Sequence, residues 1–347
     1  MAVSEASAFT PLHVYKDADC DLGLIRARKV LVIGYGSQGR THALNLRDSG
    51  VAELKVALKP GSPSRARAEA DGFTVIETAS GVAWAEVIAV MVSDEGHQDL
   101  FATDILPHLR SGQALVFAHG LSVHFGLVAP PPGVDVILAS PKGIGPRIRD
   151  LYVAGEGTFC LFAVHQDATG TAHALGLSYA AGLGCGRKAI LETTFKDECE
   201  CDLFGEQVVL CGGVQSLVDT AFETLVKAGY PPEVAWFECF YELKLVVDLM
   251  AARGIAGAFA KISNTAEYGA YLTGPRIINA ESEAQMQGVL KDVQSGDFVR
   301  SLMADYRAGS PDLLARRTRL GLRGIEAVGR HLEEEAVGRH LGEGTGQ

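Results

Sequence analysis

The sequence has little of what would place a chain in a membrane or with nucleic acid. It contains no run of about eighteen consecutive apolar residues, and its first residues show no basic segment followed by an apolar one. Lysine and arginine total 31 against 42 aspartates and glutamates, which gives a formal net charge of -11. Such a charge does not suit a phosphate backbone. We therefore expect a soluble cytoplasmic protein that binds neither nucleic acid nor a membrane.

Cysteines are few and scattered. There are seven, at positions 20, 160, 185, 199, 201, 211 and 239, with no CxxC motif. An odd, dispersed set in a long chain is unlike a disulfide framework, so we expect reduced thiols. Cys199 and Cys201 flank Glu200, which leaves a soft-metal role as the less favoured alternative.

The 347 residues exceed what one core usually organises, so two domains are expected. Short β-branched runs alternate with helical segments as far as residue 193, which predicts an α/β domain with a parallel sheet over residues 14–193. Helical periodicity dominates residues 194–330 and predicts an all-α domain, followed by a C-terminal tail, residues 331–347. The predicted strands are RKVLVIG, ELKVALK, EVIAVMV, ALVFA, DVILAS, TFCLFAV and RKAIL.

Two local features stand out in the helical part. Gly212 and Gly213 interrupt a helix, where they cost stability relative to alanine, and we expect them to allow close packing between helices. The tail repeats EAVGRHLEE as EAVGRHLGE, starting at Glu326 and Glu335, which we interpret as a frayed helical extension.

Two pairs of carboxylates, each with a four-residue spacing, are the most informative motif. Asp202 and Glu206 lie in CDLFGEQ, and Glu238 and Glu242 lie in FECFYEL. On a helix this spacing places both side chains on one face, where they repel each other unless a cation lies between them. Oxygen ligands without histidine favour Mg²⁺ or Mn²⁺. We therefore predict a site for two divalent cations, the alternative being solvated surface acids.

A glycine-rich turn follows the first long strand and opens a helix. In this context the first glycine permits the turn, the second lets the backbone approach a pyrophosphate, and the third lets helix and strand pack closely. We predict a Rossmann-type dinucleotide site here rather than a merely tight turn. Its predicted cofactor-binding residues are Gly34, Tyr35, Gly36, Ser37, Gln38 and Gly39.

The loop after the next strand reads LKPGSPSR and contains no acid for the ribose hydroxyls. Lys59, Ser62 and Ser64 instead offer one positive charge and two hydroxyl donors to a 2′-phosphate. The loop therefore favours NADPH over NADH, although a solvated basic loop would have the same composition.

Two polar residues follow strands at the sheet edge where ligands bind in open α/β proteins. His119 follows ALVFA in AHGLSVHFG, and Lys142 follows DVILAS in SPKGIGP, a segment in which Gly145 is also expected to contact the cofactor. A single residue of this kind is usually incidental. Two beside a nicotinamide pocket favour a catalytic role.

Several longer segments occur in order between about residues 15 and 325. They are GYGSQGRTHALNLRDSG, KPGSPS, EADGF, AHGLSVHFG, SPKGIGP, ETTFKDECECDLFGEQVVLCGG, AGYPPEVAWFECFYELKLVVDLM and SNTAEYGAYLTGPRII. Together they resemble ketol-acid reductoisomerase, the acetohydroxy acid isomeroreductase of branched-chain amino-acid synthesis, in its short form (class I).

The resemblance implies roles for individual residues. Asp202 would bridge two Mg²⁺ ions, Glu206 would ligate one of them, and Glu238 and Glu242 would hold or orient the other. Ser263, in ISNTAEYG, matches the serine that binds the substrate carboxylate.

Glu242 is a candidate proton shuttle in catalysis, because a carboxylate close to a metal and to other acids need not keep its solution pKa. The resemblance also places the catalytic candidates His119 and Lys142 beside the reacting centre. It implies a knotted helical domain and a homodimer or higher homo-oligomer, in which Glu238 and Glu242 come from the partner subunit.

The implied reaction is an alkyl migration in 2-acetolactate or 2-aceto-2-hydroxybutyrate, followed by reduction with NADPH to the 2,3-dihydroxy acid, in valine and isoleucine biosynthesis. The alternatives are a pathway-specialised paralogue acting on another acetohydroxy acid, a simple hydroxyacid or imine reductase, and a non-catalytic NADPH-binding paralogue. The chain departs from the family pattern at Cys199 and Cys201, usually acidic or hydroxyl residues, at Arg40, often histidine, at Ser93, usually proline, and around Arg147 and Arg149.

Overall fold

The structure is a computed structural model that describes residues 11–342, with side chains described as far as residue 335. The chain forms two compact units, Met1–Cys201 and Asp202–Gln347. The predicted tail, residues 331–347, lies partly outside the described residues, and the side chains of most of the second copy of the duplicated segment are not described.

The first unit is built on a nine-stranded sheet with the order β1-β9-β8-β7-β6-β5-β2-β3-β4. All seven predicted strands are confirmed. Two short strands, β1 and β4, were not predicted because two or three residues are too few to show a period. The strands are β1 Val14–Tyr15, β2 Val30–Ile33, β3 Leu54–Ala57, β4 Thr74–Ile76, β5 Val87–Val90, β6 Ala114–Phe117, β7 Asp135–Pro141, β8 Phe159–Gln166 and β9 Ala189–Glu192.

The predicted parallel sheet contains antiparallel pairs at two places. Strands β2 to β7 are parallel to one another, and so are β8 and β9. Strand β8 runs antiparallel to β7, and β1 runs antiparallel to β9. The connection after β7 begins and ends at the same sheet edge. There the Lys142 amide donates to the Phe159 carbonyl at 2.8 Å, and the Thr158 hydroxyl donates to the Lys142 carbonyl at 2.8 Å. Since the connection does not cross the sheet, β8 returns alongside β7.

Helices cover both faces of this sheet, as the alternating pattern predicted. Strand β2 shows why: Val30 and Val32 belong to one buried apolar cluster, and Leu31 and Ile33 belong to the other. The helices of this unit are α1 Leu22–Arg26, α2 Ser37–Asp48, α3 Arg65–Ala70, α4 Thr78–Trp84, α5 His97–Leu100, α6 Leu121–His124, α7 Gly145–Val153 and α8 Ala172–Gly182.

The second unit is helical throughout its described residues, which confirms the all-α prediction. The boundary between the units falls inside helix α9, Phe195–Gly205. The remaining helices are α10 Gly212–Lys227, α11 Pro232–Trp236, α12 Leu243–Phe259, α13 Asn264–Ile277, α14 Ala280–Gln294, α15 Asp297–Arg307, α16 Pro311–Gly321 and α17 Gly324–Gly342.

Two π-helical segments, Glu206–Leu210 and Phe237–Tyr241, interrupt the helices of this unit. They explain the glycine pair differently from our expectation. A Cβ on Gly212 would lie 2.2 Å from the carbonyl oxygen of Gln207, and one on Gly213 would lie 1.9 Å from that of Val208. The glycines make room for carbonyls of the wider π turn, and their expected role in packing between helices stays a prediction.

Much of the apolar surface of the second unit is exposed. Ile255 and Tyr268 are 69% and 68% exposed, and they are two of many large apolar side chains in this state. The helical run Phe195–Lys227 is the one described segment long and apolar enough to cross a membrane, a property that core helices share and that is weak evidence alone. Apolar surface of this extent usually marks a binding face.

Candidate active site

Three polar residues leave neighbouring strands at the same sheet edge. Asp94 follows β5, His119 follows β6 and Lys142 follows β7. These strands are parallel neighbours, so their carboxyl ends lie side by side. These residues lie beyond the carboxyl ends of the strands, the location where open α/β sheets bind their ligands.

Glu198, on helix α9, is the central carboxylate of this edge. Its side chain is fully buried. One oxygen accepts hydrogen bonds from Lys142 Nζ at 2.7 Å and from Ser140 Oγ at 2.8 Å, and the other accepts one from the Gly120 amide at 2.8 Å. These donors offset the cost of burying the charge and fix the lysine at the strand end.

Sequence reasoning missed Glu198. The available signal was its spacing, since Glu198 precedes Asp202 by four residues and extends the face on which Asp202 and Glu206 were predicted.

His119 is held by a second carboxylate that was also missed. Asp94 Oδ2 lies 2.9 Å from His119 Nδ1, and the ring also hydrogen-bonds with Cys199. Burial lowers the pKa of His119, but the hydrogen bonds to Asp94 and Cys199 and the charges of Asp94 and Glu198 outweigh burial and raise it to about 11. Burial raises the pKa of the Cys199 thiol, which disfavours a thiolate.

Candidate metal ligands meet beside helix α9. One ligand atom from each of His119, Glu198 and Asp202 lies within 4.8 Å of the others. Lys142 neutralises Glu198, and the carboxylate oxygens of Asp202 are of the type that Mg²⁺ prefers. Among the described residues no cysteine joins such a group, so the soft-metal alternative gains no support.

The other predicted metal ligands do not join this group within the single chain. Glu206, Glu238 and Glu242 are exposed. Glu206 opens the first π segment, Glu238 lies in the second, and Glu242 directly follows it. Such π turns are frequent at functional sites. The assignment of these three carboxylates to metal stays a prediction.

Ser263 has a structural role that the sequence did not indicate. Its hydroxyl accepts a hydrogen bond from the Ala266 amide at 3.1 Å and so caps the N-terminus of α13. The residue is exposed, and its predicted contact with a substrate carboxylate stays a prediction.

The glycine turn after β2 has the geometry expected of a dinucleotide site. Gly34 has φ +96°, and a Cβ there would lie 2.7 Å from the Met91 carbonyl oxygen. A Cβ on Gly39 would lie 2.3 Å from the carbonyl oxygen of Gly34, whereas one on Gly36 would meet no atom within 4 Å. The fold itself requires the outer two glycines. The middle one is explained by the approach of a ligand to the backbone.

The turn is tied to the loop that precedes α7. Gln38 Nε2 donates to the Gly143 carbonyl at 3.0 Å, and the Gly145 amide donates to Ser37 Oγ at 3.1 Å. Within the described chain the buried Gln38 Oε1 has no hydrogen-bond partner, which suits a polar ligand. The Tyr35 ring is buried and its hydroxyl donates to Asp71 at 2.8 Å, so only its backbone remains for the cofactor.

The loop between β3 and α3 presents Lys59 exposed, with Ser62 and Ser64 partly buried. Helix α3 reaches the glycine turn through Arg67, which donates to the Tyr35 carbonyl at 2.6 Å. Positive charge therefore lies close to the turn, as a 2′-phosphate would require. That these side chains bind the phosphate stays a prediction.

Two of the departures from the family pattern have a structural explanation. Arg40 forms a bidentate pair with Asp71 at 2.7 and 3.1 Å, the same carboxylate that holds Tyr35. Arg149, on α7, donates to Asn45 at 2.8 Å and also binds Asp48, both on α2. Both arginines anchor the helix that follows the glycine turn.

Comparisons with known proteins cover both units. Residues 24–189 match the family described as acetohydroxy acid isomeroreductase, NADPH-binding domain, and residues 195–337 match ketol-acid reductoisomerase, C-terminal domain. A solved NADH-preferring ketol-acid reductoisomerase from an uncultured archean is 38% identical, with a TM-score of 0.90 over 93% of this chain and 99% of its own. A semialdehyde dehydrogenase NAD-binding protein from Cupriavidus necator, at 17% identity and TM-score 0.58 over 77% of this chain and 99% of its own, shares the fold alone.

Proposed function

This chain belongs to the ketol-acid reductoisomerase family, and on that premise we propose that it converts a 2-acetyl-2-hydroxy acid to a 2,3-dihydroxy acid with Mg²⁺ and NADPH. The proposed substrates are 2-acetolactate and 2-aceto-2-hydroxybutyrate, which places the enzyme in valine and isoleucine biosynthesis in the cytoplasm. The observation that carries the proposal is the cluster of His119, Lys142, Glu198 and Asp202 in a chain that also has the dinucleotide turn.

The reaction requires that the negative charge that develops on the oxygens of two adjacent carbon atoms be stabilised. When bound, Mg²⁺ polarises the ketone and stabilises the alkoxide during the alkyl shift, and NADPH supplies the hydride for the reduction. Asp202 and Glu206 would hold the metal, together with Glu238 and Glu242. Glu242 would also carry protons to and from the substrate.

The buried residues of the first unit do the positioning. Glu198 holds the Lys142 ammonium at the strand end, where it neutralises developing negative charge or passes a proton through water. His119 presents a second cationic group, because its pKa is raised well above the ordinary range. Ser140 and the Gly120 amide fix the Glu198 carboxylate in place through hydrogen bonds.

The preference for NADPH rests on Lys59, Ser62 and Ser64 and on the absence of an acid at the end of β3. The 38% identical relative is described as NADH-preferring, so membership of the family does not decide the preference. The charge of the loop carries this part of the proposal.

We further propose a homodimer or higher homo-oligomer with active sites completed by the partner subunit. The support is the exposed apolar surface of the helical unit, together with Glu238 and Glu242, which are exposed and outside the cluster at His119. Covering such surface by a second copy would stabilise the assembly by about 25 cal/mol per Å² of apolar area.

The test is an assay of purified protein with NADPH, Mg²⁺ and a panel of acetohydroxy acids, followed by identification of the product. We expect a 2,3-dihydroxy acid, and no NADPH oxidation after treatment with EDTA until Mg²⁺ is restored. Asp202→Asn should bind NADPH normally yet fail to isomerise the substrate.

Other outcomes would identify the competing functions. Full turnover without metal would favour a simple hydroxyacid or imine reductase and reject the proposed mechanism. Activity confined to another acetohydroxy acid would indicate a specialised paralogue. Tight NADPH binding without turnover of any panel member would favour a non-catalytic paralogue.

A further inference from the structure

Asp94 lies where it can control the catalytic histidine. It begins the 3₁₀ turn Asp94–Gly96 that follows β5, and β5 pairs in parallel with β6, Val90 opposite Phe117. The segments that leave these two strands therefore run side by side. Asp94 Oδ2 comes to 2.9 Å from Nδ1 of His119, and both side chains are largely shielded from solvent, 27% and 18% exposed.

The position of the Asp94 carboxylate is not explained by capping of the local backbone. The turn has no side-chain hydrogen bond at its N-cap, and the hydrogen bond described for the Asp94 carboxylate is the one to His119. A second histidine is nearby: His97 Nδ1 lies 3.8 Å from Asp94 Oδ1. Its two ring nitrogens are within hydrogen-bond distance of Ser122 Oγ at 2.7 Å and the Val92 carbonyl at 3.0 Å. His97 therefore lies beside Asp94 and does not compete with His119 for its hydrogen bond.

The opposite side of the imidazole is closed by helix α9. Cys199 is fully buried and hydrogen-bonds with the His119 ring. A Cβ on Gly120 would already approach the Cys199 Cβ to 3.1 Å, so the backbone after His119 packs tightly on this helix. The ring is held from two sides, and Asp94 supplies the charged contact.

We propose that Asp94 is a positioning residue for His119: its carboxylate accepts the Nδ1–H and fixes the angle of the ring at the sheet edge. The inference rests on the function proposed above, in which His119 is catalytic. A carboxylate that accepts a hydrogen bond from a histidine fixes the orientation of its ring.

The kinetic test uses Asp94→Asn, which keeps the size of the side chain but removes its charge. We expect kcat with 2-acetolactate to fall about 10- to 100-fold while KM changes little, because the orientation matters in the transition state. Asp94→Glu should restore part of kcat. The matched control is Glu95→Gln, which removes a charge from the same turn and should leave kcat unchanged.

A proton NMR spectrum provides a readout that a merely structural role would not change. A histidine N–H donated to a buried carboxylate resonates far downfield, and this signal is assigned by its loss in His119→Gln. We expect Asp94→Asn to lose it while keeping the wild-type melting temperature within a few degrees and NADPH affinity within about twofold.

An Asp94→Asn enzyme with wild-type kcat, or one that retains the downfield proton, would overturn the inference. A wild-type protein that converts no acetohydroxy acid would instead contradict the proposed function. The NMR comparison would still decide the contact between Asp94 and His119, so the two failures can be told apart.

Discussion

A single buried carboxylate, Glu198, joins three parts of the chain that sequence reading treats separately. It contacts Lys142 and Ser140 at the end of β7 and the amide of Gly120 after β6. His119 and Lys142 could be predicted because a residue that follows a strand has a known location. The roles of Glu198 and Asp94 could not, since they depend on which side chains meet across the sheet edge, and the four-residue spacing of Glu198 from Asp202 indicates only a shared helix face.

We expect Glu198→Gln to impair both stability and catalysis. The amide retains the size of the side chain but leaves Lys142 without a charged partner, which should lower the free energy of unfolding by about 1–3 kcal/mol. Urea denaturation measures this, and kcat with acetolactate should fall in parallel. The control is Glu223→Gln, which breaks the exposed pair with Lys227 and should cost no more than about 1 kcal/mol. Equal effects of the two substitutions would contradict the role given to Glu198.

Lys59→Asp tests the cofactor loop. A carboxylate at this position would repel a 2′-phosphate and could accept hydrogen bonds from ribose hydroxyls. We expect the ratio of kcat/KM for NADPH to that for NADH to fall by about tenfold or more, a difference of about 1.4 kcal/mol. Steady-state kinetics with both cofactors measure the ratio. Arg65→Asp, at the first residue of α3, shows whether the effect depends on position. An unchanged ratio in Lys59→Asp would mean that its side chain points away from the nucleotide.

At the scale of elements, the periodicity of apolar residues predicts some secondary structures and fails to predict others. Long strands and helices were predictable because their apolar residues repeat. The reversal of β8 and the π turns were not, since a closed connection and an extra residue in a helical turn leave no periodic signal. The pair Gly212–Gly213 was a visible anomaly, yet its cause became clear only from the carbonyls of Gln207 and Val208.

Gly145→Ala tests the contact between α7 and the dinucleotide turn. A Cβ on Gly145 would lie 2.1 Å from the Ser37 carbonyl oxygen, so the start of α7 must move away from the turn. We expect the KM for NADPH to rise at least severalfold and the melting temperature to fall. Gly288→Ala is the control, since it lies inside α14 with no atom near the added methyl group and should be neutral or stabilising by up to about 1 kcal/mol. Normal NADPH kinetics in Gly145→Ala would show that the two segments are not coupled.

At the scale of the whole molecule, the helical unit exposes more apolar surface than a soluble monomer usually does. We expect native mass spectrometry to give a dimer or a larger assembly. Ile255→Glu, which adds a charge to this surface, should weaken the assembly and reduce activity in proportion to the fraction of dissociated protein. Val153→Glu, at an equally exposed apolar residue of the first unit, should leave the assembly intact. A fully active wild-type monomer would contradict the proposed intersubunit site.

Helix α9 has a consequence for attempts to recombine this enzyme with its relatives. The helix crosses the boundary between the two units, and it carries Glu198 on one side of that boundary and Asp202 on the other. Each residue added to an α-helix turns everything beyond it by about 100° and advances it by about 1.5 Å. A hybrid joined at this point with even one residue too many would point Asp202 away from Glu198. Crossovers should therefore be placed before Phe195 or after the π segment Glu206–Leu210, so that Glu198 and Asp202 come from the same parent.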